Sequence, residues 1–136
     1  MNDIKQVTRH RVLIVDDEES TRLQLARILT IDMEVEVMLA GTCEQAVRLG
    51  GSFAYDAILL DLMMPGIGGF GVLKQLRARS PNITTPIIIV SSLSEPEMIE
   101  RCMAAGATAY LVKPVERNSL TATVRAQIAG RAQPQP

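Results

Sequence analysis

Asp16 and Asp17, Asp61, Ser91 and Lys113 each follow directly on a different short apolar run: Val12 to Val15, Ala57 to Leu60, Pro86 to Val90 and Ala109 to Val112. If those runs are neighbouring strands of one parallel sheet, the polar groups meet in a single crevice at its carboxyl edge, where open α/β sheets bind ligands. Three carboxylates, a hydroxyl and an ammonium suit a divalent cation plus an incoming anion better than they suit packing. Two ionised carboxylates about 4 Å apart repel by ~4 kcal/mol at an effective dielectric of about 20, so a cleft holding Asp16, Asp17 and Asp61 demands a cation. Magnesium is the natural one. It keeps several waters and takes one or two carboxylates together with phosphate oxygens.

Each of these signals has a plain structural reading when it stands alone. Acidic residues after a strand often serve only a turn and a helix start, which would cover Asp16 and Asp17. Asp61 could be a turn residue, helped by Pro65 and by Gly66, Gly68 and Gly69. Lys113 ahead of Pro114 is most often simply solvated. Met63 and Met64 read as gap-filling apolar side chains. His10, on a polar segment with no ligand partner at metal spacing, reads as exposed. The combination of Asp16, Asp17, Asp61, Ser91 and Lys113 at successive strand ends is what favours a shared site.

The elements that must position these residues are legible as an alternation of short apolar runs and helix-spaced stripes, the pattern of βα repeats. Ser20 is expected to cap a first helix whose Leu23, Ala26 and Leu29 face the sheet. Met33 to Ala40 reads as an edge strand, with Val35, Val37 and Leu39 inward and Glu34, Glu36 and Met38 outward. A helix from about Thr42 to Leu49 should close at Gly50 and Gly51. The strands at 57–60 and 86–90 are apolar throughout and so should be central. Between them Val72, Leu73 and Leu76 mark a third helix, ending before Ser80-Pro81. Ser94 should cap a helix from Pro96 to Ala105 that stops at Gly106, and Leu120, Val124 and Ile128 form the buried stripe of a last helix from about Glu116 to Ala129. Five strands alternating with five helices through right-handed crossovers give a doubly wound α/β sheet.

Composition bounds the reading without directing it. The 136 residues fit a single domain, read as a polar segment 1–10, a folded unit 11–129 and a flexible tail or linker stub 130–136. With 14 basic and 15 acidic residues the net charge is 14 − 15 = −1, so no global field recruits nucleic acid or an anionic membrane. No apolar run reaches the ~18 residues of a membrane span, and a cytoplasmic location is expected. Cys43 and Cys102 show no metal spacing and read as small buried hydrophobes.

From Arg11 to Ala129 the chain resembles the receiver domain of two-component response regulators. The matching motifs are Val15-Asp16-Asp17, Asp61-Leu62-Met63-Met64-Pro65-Gly66-Ile67-Gly68-Gly69, Ser91 and Lys113-Pro114. The resemblance implies a (βα)5 flavodoxin-like three-layer sandwich with sheet order 2-1-3-4-5. It implies that Asp61 is the phosphoacceptor and that Mg2+, or alternatively Mn2+, is held by Asp17 and Asp61 directly, by Asp16 mostly through water, and by the backbone carbonyl of Met63. Lys113 would neutralise charge on the phosphoryl oxygens. Ser91 would donate its hydroxyl to the phosphoryl group, and Tyr110 would turn in response, altering the face of the fourth helix, fifth strand and fifth helix. Ser92 departs from the family's usual alanine; it remains small enough for phosphate access and adds a hydroxyl. Met63 and Leu93, each two residues beyond a motif residue, are apolar and would screen the acyl phosphate from water.

Three functional classes follow. The leading one is a phosphorylation-controlled switch that catalyses only its own modification and its reversal. Its donor would be a sensor histidine kinase or phosphotransfer protein, and its output a downstream protein, a fused domain absent from this chain, or a homodimer through the Tyr110 face. A phosphohydrolase of the haloacid-dehalogenase type also uses a strand-end aspartate with magnesium, but normally has a second aspartate two residues on, where this chain has Met63. A constitutive docking module is the third, opposed by the complete acidic cluster with Ser91 and Lys113.

Overall fold

The computed structural model describes residues 9–132, so residues 1–8 of the expected polar segment and residues 133–136 of the expected tail lie outside the described residues. The chain runs β1 (Arg11–Val15), α1 (Glu19–Met33), β2 (Glu36–Ala40), α2 (Cys43–Ser52), β3 (Ala57–Leu60), α3 (Gly68–Ala78), β4 (Ile87–Ser91), α4 (Pro96–Ala104), β5 (Ala109–Val112) and α5 (Arg117–Ala132). The five strands form one parallel sheet of order β2-β1-β3-β4-β5, the doubly wound arrangement expected.

Register is what gathers the polar residues. Val15 pairs with both Ala40 and Leu60, and Ser91 pairs with Val112, so the strands end nearly level. The ladder continues one step into the loops: Asp16 donates its backbone N–H to Ala40 O, Asp61 to Val15 O and Lys113 to Ser91 O, at 3.1, 2.9 and 2.8 Å.

Alternate strand residues feed two cores, because successive side chains on a strand point to opposite faces. Leu13, Val15, Ile58, Leu60, Ile87 and Ile89 pack with Cys43 and Ala46 of α2, Val72, Leu73 and Leu76 of α3, and Cys102 of α4. Val12, Ile14, Ala57, Leu59, Ile88 and Val90 pack with Leu25 and Leu29 of α1 and Leu120, Val124 and Ile128 of α5. β3 and β4 are buried at every position. Each fully buried Leu, Ile or Val contributes about 1.5–3 kcal/mol relative to exposure, so the central strands anchor the edge that carries the site.

Several local expectations are corrected. Ser20 lies inside α1, whose cap position is Glu18, and Leu23 is 50% exposed while Leu25 and Leu29 are buried. Residues six apart sit about 120° apart on a 3.6-residue helix, so Leu23 and Leu29 could not share one face. Met33 closes α1 and Glu34 turns left-handed at φ 55°, delaying β2 to Glu36. Leu39, expected inward, is 38% exposed on β2, an edge strand with a neighbour on one side only. Gly50 and Gly51 lie within α2 and do not end it. At Gly50 a Cβ would stand 2.5 Å from Leu76 Cδ2, so the glycine permits close approach of α3. The cap of α4 is Glu95, with no side-chain capping bond, in place of Ser94. α5 continues through Gly130 to Ala132, past the start expected for the tail.

Candidate functional site

The three acidic residues meet at the carboxyl edge of β1 and β3. Carboxylate oxygens of Asp16, Asp17 and Asp61 lie within 4.8 Å of one another. Asp16 and Asp61 are only 1% and 5% exposed, whereas Asp17 is open to solvent. Lys113, at the end of β5, reaches across with Nζ 2.8 Å from Asp16 Oδ2 and 3.7 Å from Asp61 Oδ2. Burial opposes the charge of Lys113, but the Asp16 hydrogen bond and the charges of Asp61 and Asp16 outweigh it and raise its pKa.

The remaining expected residues lie on the loop after β3, at the end of β4 and the loop after it, and on β5. Met63 is largely exposed, and its backbone N–H donates to Asp61 Oδ1 at 3.3 Å. Ser91 is fully buried at the end of β4, where its Oγ accepts the N–H of Leu93 at 3.2 Å. Tyr110 is half-buried in β5, and its hydroxyl donates to Leu93 O at 2.6 Å. Ser91, Leu93 and Tyr110 are therefore linked through the first residues of the β4–α4 loop. His10 stands apart, exposed, with Nδ1 3.6 Å from Asp56 Oδ2. Cys43 and Cys102 are buried and unbonded to each other.

The sequence profile of the Response regulator receiver domain matches residues 12–125. The chain belongs to the response regulator receiver domain family. Its relatives include the sensory/regulatory protein RpfC of Xanthomonas campestris, 36% identical over 88% of this chain and 16% of the relative, and the cell cycle transcriptional regulator CtrA of Caulobacter vibrioides, 34% identical over 87% of this chain and 50% of the relative. The chain thus spans about half or less of these curated relatives. Among solved structures, chemotaxis protein CheY4 of Vibrio cholerae superposes with a TM-score of 0.82 at 32% identity, over 88% of this chain and 99% of CheY4. The receiver domain of the sensor histidine kinase PA1611 from Pseudomonas aeruginosa superposes at 0.81 and 28% identity, over 90% of this chain and 99% of that one; it holds a magnesium ion coordinated in its active site cleft.

Three features of this receiver domain escaped the reading of its sequence. Arg22 Nη1 donates to Asp16 O at 2.8 Å, and its guanidinium lies against Gly41, where a Cβ would stand 2.9 Å from Nη1. The backbone N–H of Glu18 donates to Asp16 Oδ1 at 2.9 Å, fixing that carboxylate from the other side. Gly69 is required by contact: a Cβ there would fall 1.9 Å from the backbone oxygen of Asp61. The recurrence of glycine after Asp61 was visible, but not which one lies against the carbonyl.

Burial lifts the pKa of Asp61 above its ordinary 3.8; Lys113 and the Met63 N–H oppose this, while Asp16 and Asp17 add to it. A raised acid pKa means that the folded state holds the proton more tightly than the unfolded chain. The cost of ionised Asp61 therefore grows as pH rises from the unfolded pKa through the folded one, and is fully present above the folded one. In a chelator at pH 7, Asp61→Asn is expected to melt a few degrees above the wild type. The gap should close as the pH falls below 3.8, followed by circular dichroism. An Asn variant no more stable at pH 7 would contradict this electrostatic reading.

Proposed function

We propose that this receiver domain, with residues 11–129 as its functional unit, is a phosphorylation-controlled switch of a two-component phosphorelay, working in the cytoplasm. The observation that carries the proposal is the convergence of Asp16, Asp17 and Asp61 with Lys113 at one strand edge. The donor is a phosphohistidine on a sensor histidine kinase or phosphotransfer protein. A carboxylate oxygen of Asp61 forms a bond to phosphorus as the phosphorus–nitrogen bond breaks and its electron pair returns to the imidazole. Lys113 stands beside Asp61 to balance charge on the phosphoryl oxygens, and positioning supplies most of the catalysis.

The donor set fits a hard dication. Three carboxylates against one ammonium leave two negative charges in a largely buried cleft, which matches Mg2+, with Mn2+ as the alternative. Asp16, Asp17, Asp61 and the Met63 carbonyl would hold it, and when bound it would supply neutralisation of the transferring group's charge. The magnesium-bearing cleft of the PA1611 receiver domain supports the same reading.

Ser91 Oγ already accepts from Leu93 N–H, which leaves its own hydrogen to donate to the phosphoryl group. Drawing Ser91 toward that group would disturb Leu93 and the hydrogen bond from Tyr110, so that Tyr110 turns and alters the surface of α4, β5 and α5. Moving such an equilibrium from 1:99 to 99:1 takes ~5.5 kcal/mol of differential stabilisation, within reach of two or three charge-assisted bonds in a partly dry site. That surface is where a downstream protein, a fused output domain or a second copy would read the state.

Incubation with acetyl phosphate and Mg2+ should add one phosphoryl group to the wild type and none to Asp61→Asn, as read by intact mass. An unmodified wild type, or an equally modified variant, would overturn the proposal. Met63, exposed beside Asp61, and Leu93 are proposed to shield the acyl phosphate from water. Met63→Asn should then speed dephosphorylation several-fold, measured by loss of the phosphorylated mass; an unchanged rate would refute that shielding.

A further inference from the structure

We propose that the groove between α2 and α3 docks an amphipathic helix of a partner protein whose apolar stripe is flanked by acidic side chains. This inference is independent of phosphoryl transfer. Two hollows of about 530 and 390 Å3 lie on this side of the molecule and share Val47 and Gln75, so they form one trough. Its floor is apolar, built from the partly buried Val47 over the buried Leu76, with the half-exposed Ile67 at one end. At its other end, Gly51 opens the wall: nothing lies within 4 Å of where its Cβ would stand. The ten residues of α2 extend about 15 Å, enough to seat about three turns of a helix lying alongside. An open apolar groove of this length suits the i, i+3, i+4, i+7 anchors of a docked helix.

Charge selects the acidic class of partner. Arg48, Lys74 and Arg79 line the trough against one acid, Glu44, so its rim carries 3 − 1 = 2 positive charges. Among the described residues none of these three cations has a carboxylate within 4.0 Å. The ammonium of Lys74 lies 5.8 Å from the centroid of the Phe70 ring, a contact that leaves its charge uncompensated. Acidic residues flanking an apolar stripe would meet this rim while the stripe covers the floor, giving both steering and orientation.

The test uses a labelled synthetic helix of about 15 residues with leucines on one face and glutamates on both flanks. Its controls are the same peptide with lysines for glutamates and a scrambled peptide of identical composition. Fluorescence anisotropy should show saturable binding of the glutamate peptide alone, weakening as salt rises. Amide shifts should fall on α2 and α3. The exposed double substitution R48E/R79E should weaken binding by about tenfold or more. Gly51→Tyr, which fills the trough without changing charge, should do the same while the melting curve stays in place. No binding, equal binding of the lysine or scrambled peptide, shifts confined to other faces, or full affinity in both variants would overturn the proposal. Self-association of the peptide-free protein through this groove in sedimentation equilibrium would overturn it as well, because the occupant would then be a second copy.

Discussion

Asp16 and Lys113 are 97 residues apart in sequence and 2.8 Å apart in space, and the site depends on that contact. β1 and β5 are not neighbours; β3 and β4 lie between them. The ammonium can meet the carboxylate only if all four strands stop at nearly the same level, and that level is set by strand pairs such as the buried Val15 with Leu60 and the buried Ile89 with the half-buried Tyr110. A slip of one residue in any pairing would turn the buried side chains to the opposite face. The hydrophobic register of the sheet is therefore also the metric of the polar edge.

That edge is held in an electrostatically incomplete state. Asp16 is satisfied by Lys113, by the Glu18 N–H and, through its own carbonyl, by Arg22. Asp61 is buried with a more distant ammonium at 3.7 Å and a long bond from Met63 N–H. The Asp61 loop is pinned in turn by Gly69 packed against the Asp61 carbonyl and by the Cys43 thiol donating to Pro65 O at 3.3 Å. One acid is locked and the other is underserved, an arrangement that raises the pKa of Asp61 through burial. Such a site favours ligands that bring positive charge to Asp61.

Strand ends and their polar residues were legible in the sequence because apolar runs such as Ala57–Leu60 and Ile87–Val90 are buried on both faces and need no periodicity to declare themselves. The site residues were legible because each directly follows such a run or lies at its end. Helix faces were less so: Leu23 belongs to an apolar pattern that a spacing of three cannot keep on one side of α1, and Leu25 carries that burial instead. Glycines were read through local conformation, yet Gly50 and Gly69 act through contacts with Leu76 and Asp61, which exist only once distant segments have packed. Arg22 was hidden for the same reason, since its partner is a backbone oxygen that no sequence pattern marks.

The central claim is that Asp16, Asp17 and Asp61 form one unit short of positive charge. Calorimetric titration of Mg2+ into the chelator-stripped wild type and Asp17→Asn tests it most directly, because Asp17 is exposed and its replacement leaves the core untouched. One ion per chain should bind the wild type, and affinity should fall by about tenfold or more in the variant with its melting temperature retained. Equal affinity in the two proteins, or no binding to the wild type, would contradict the account.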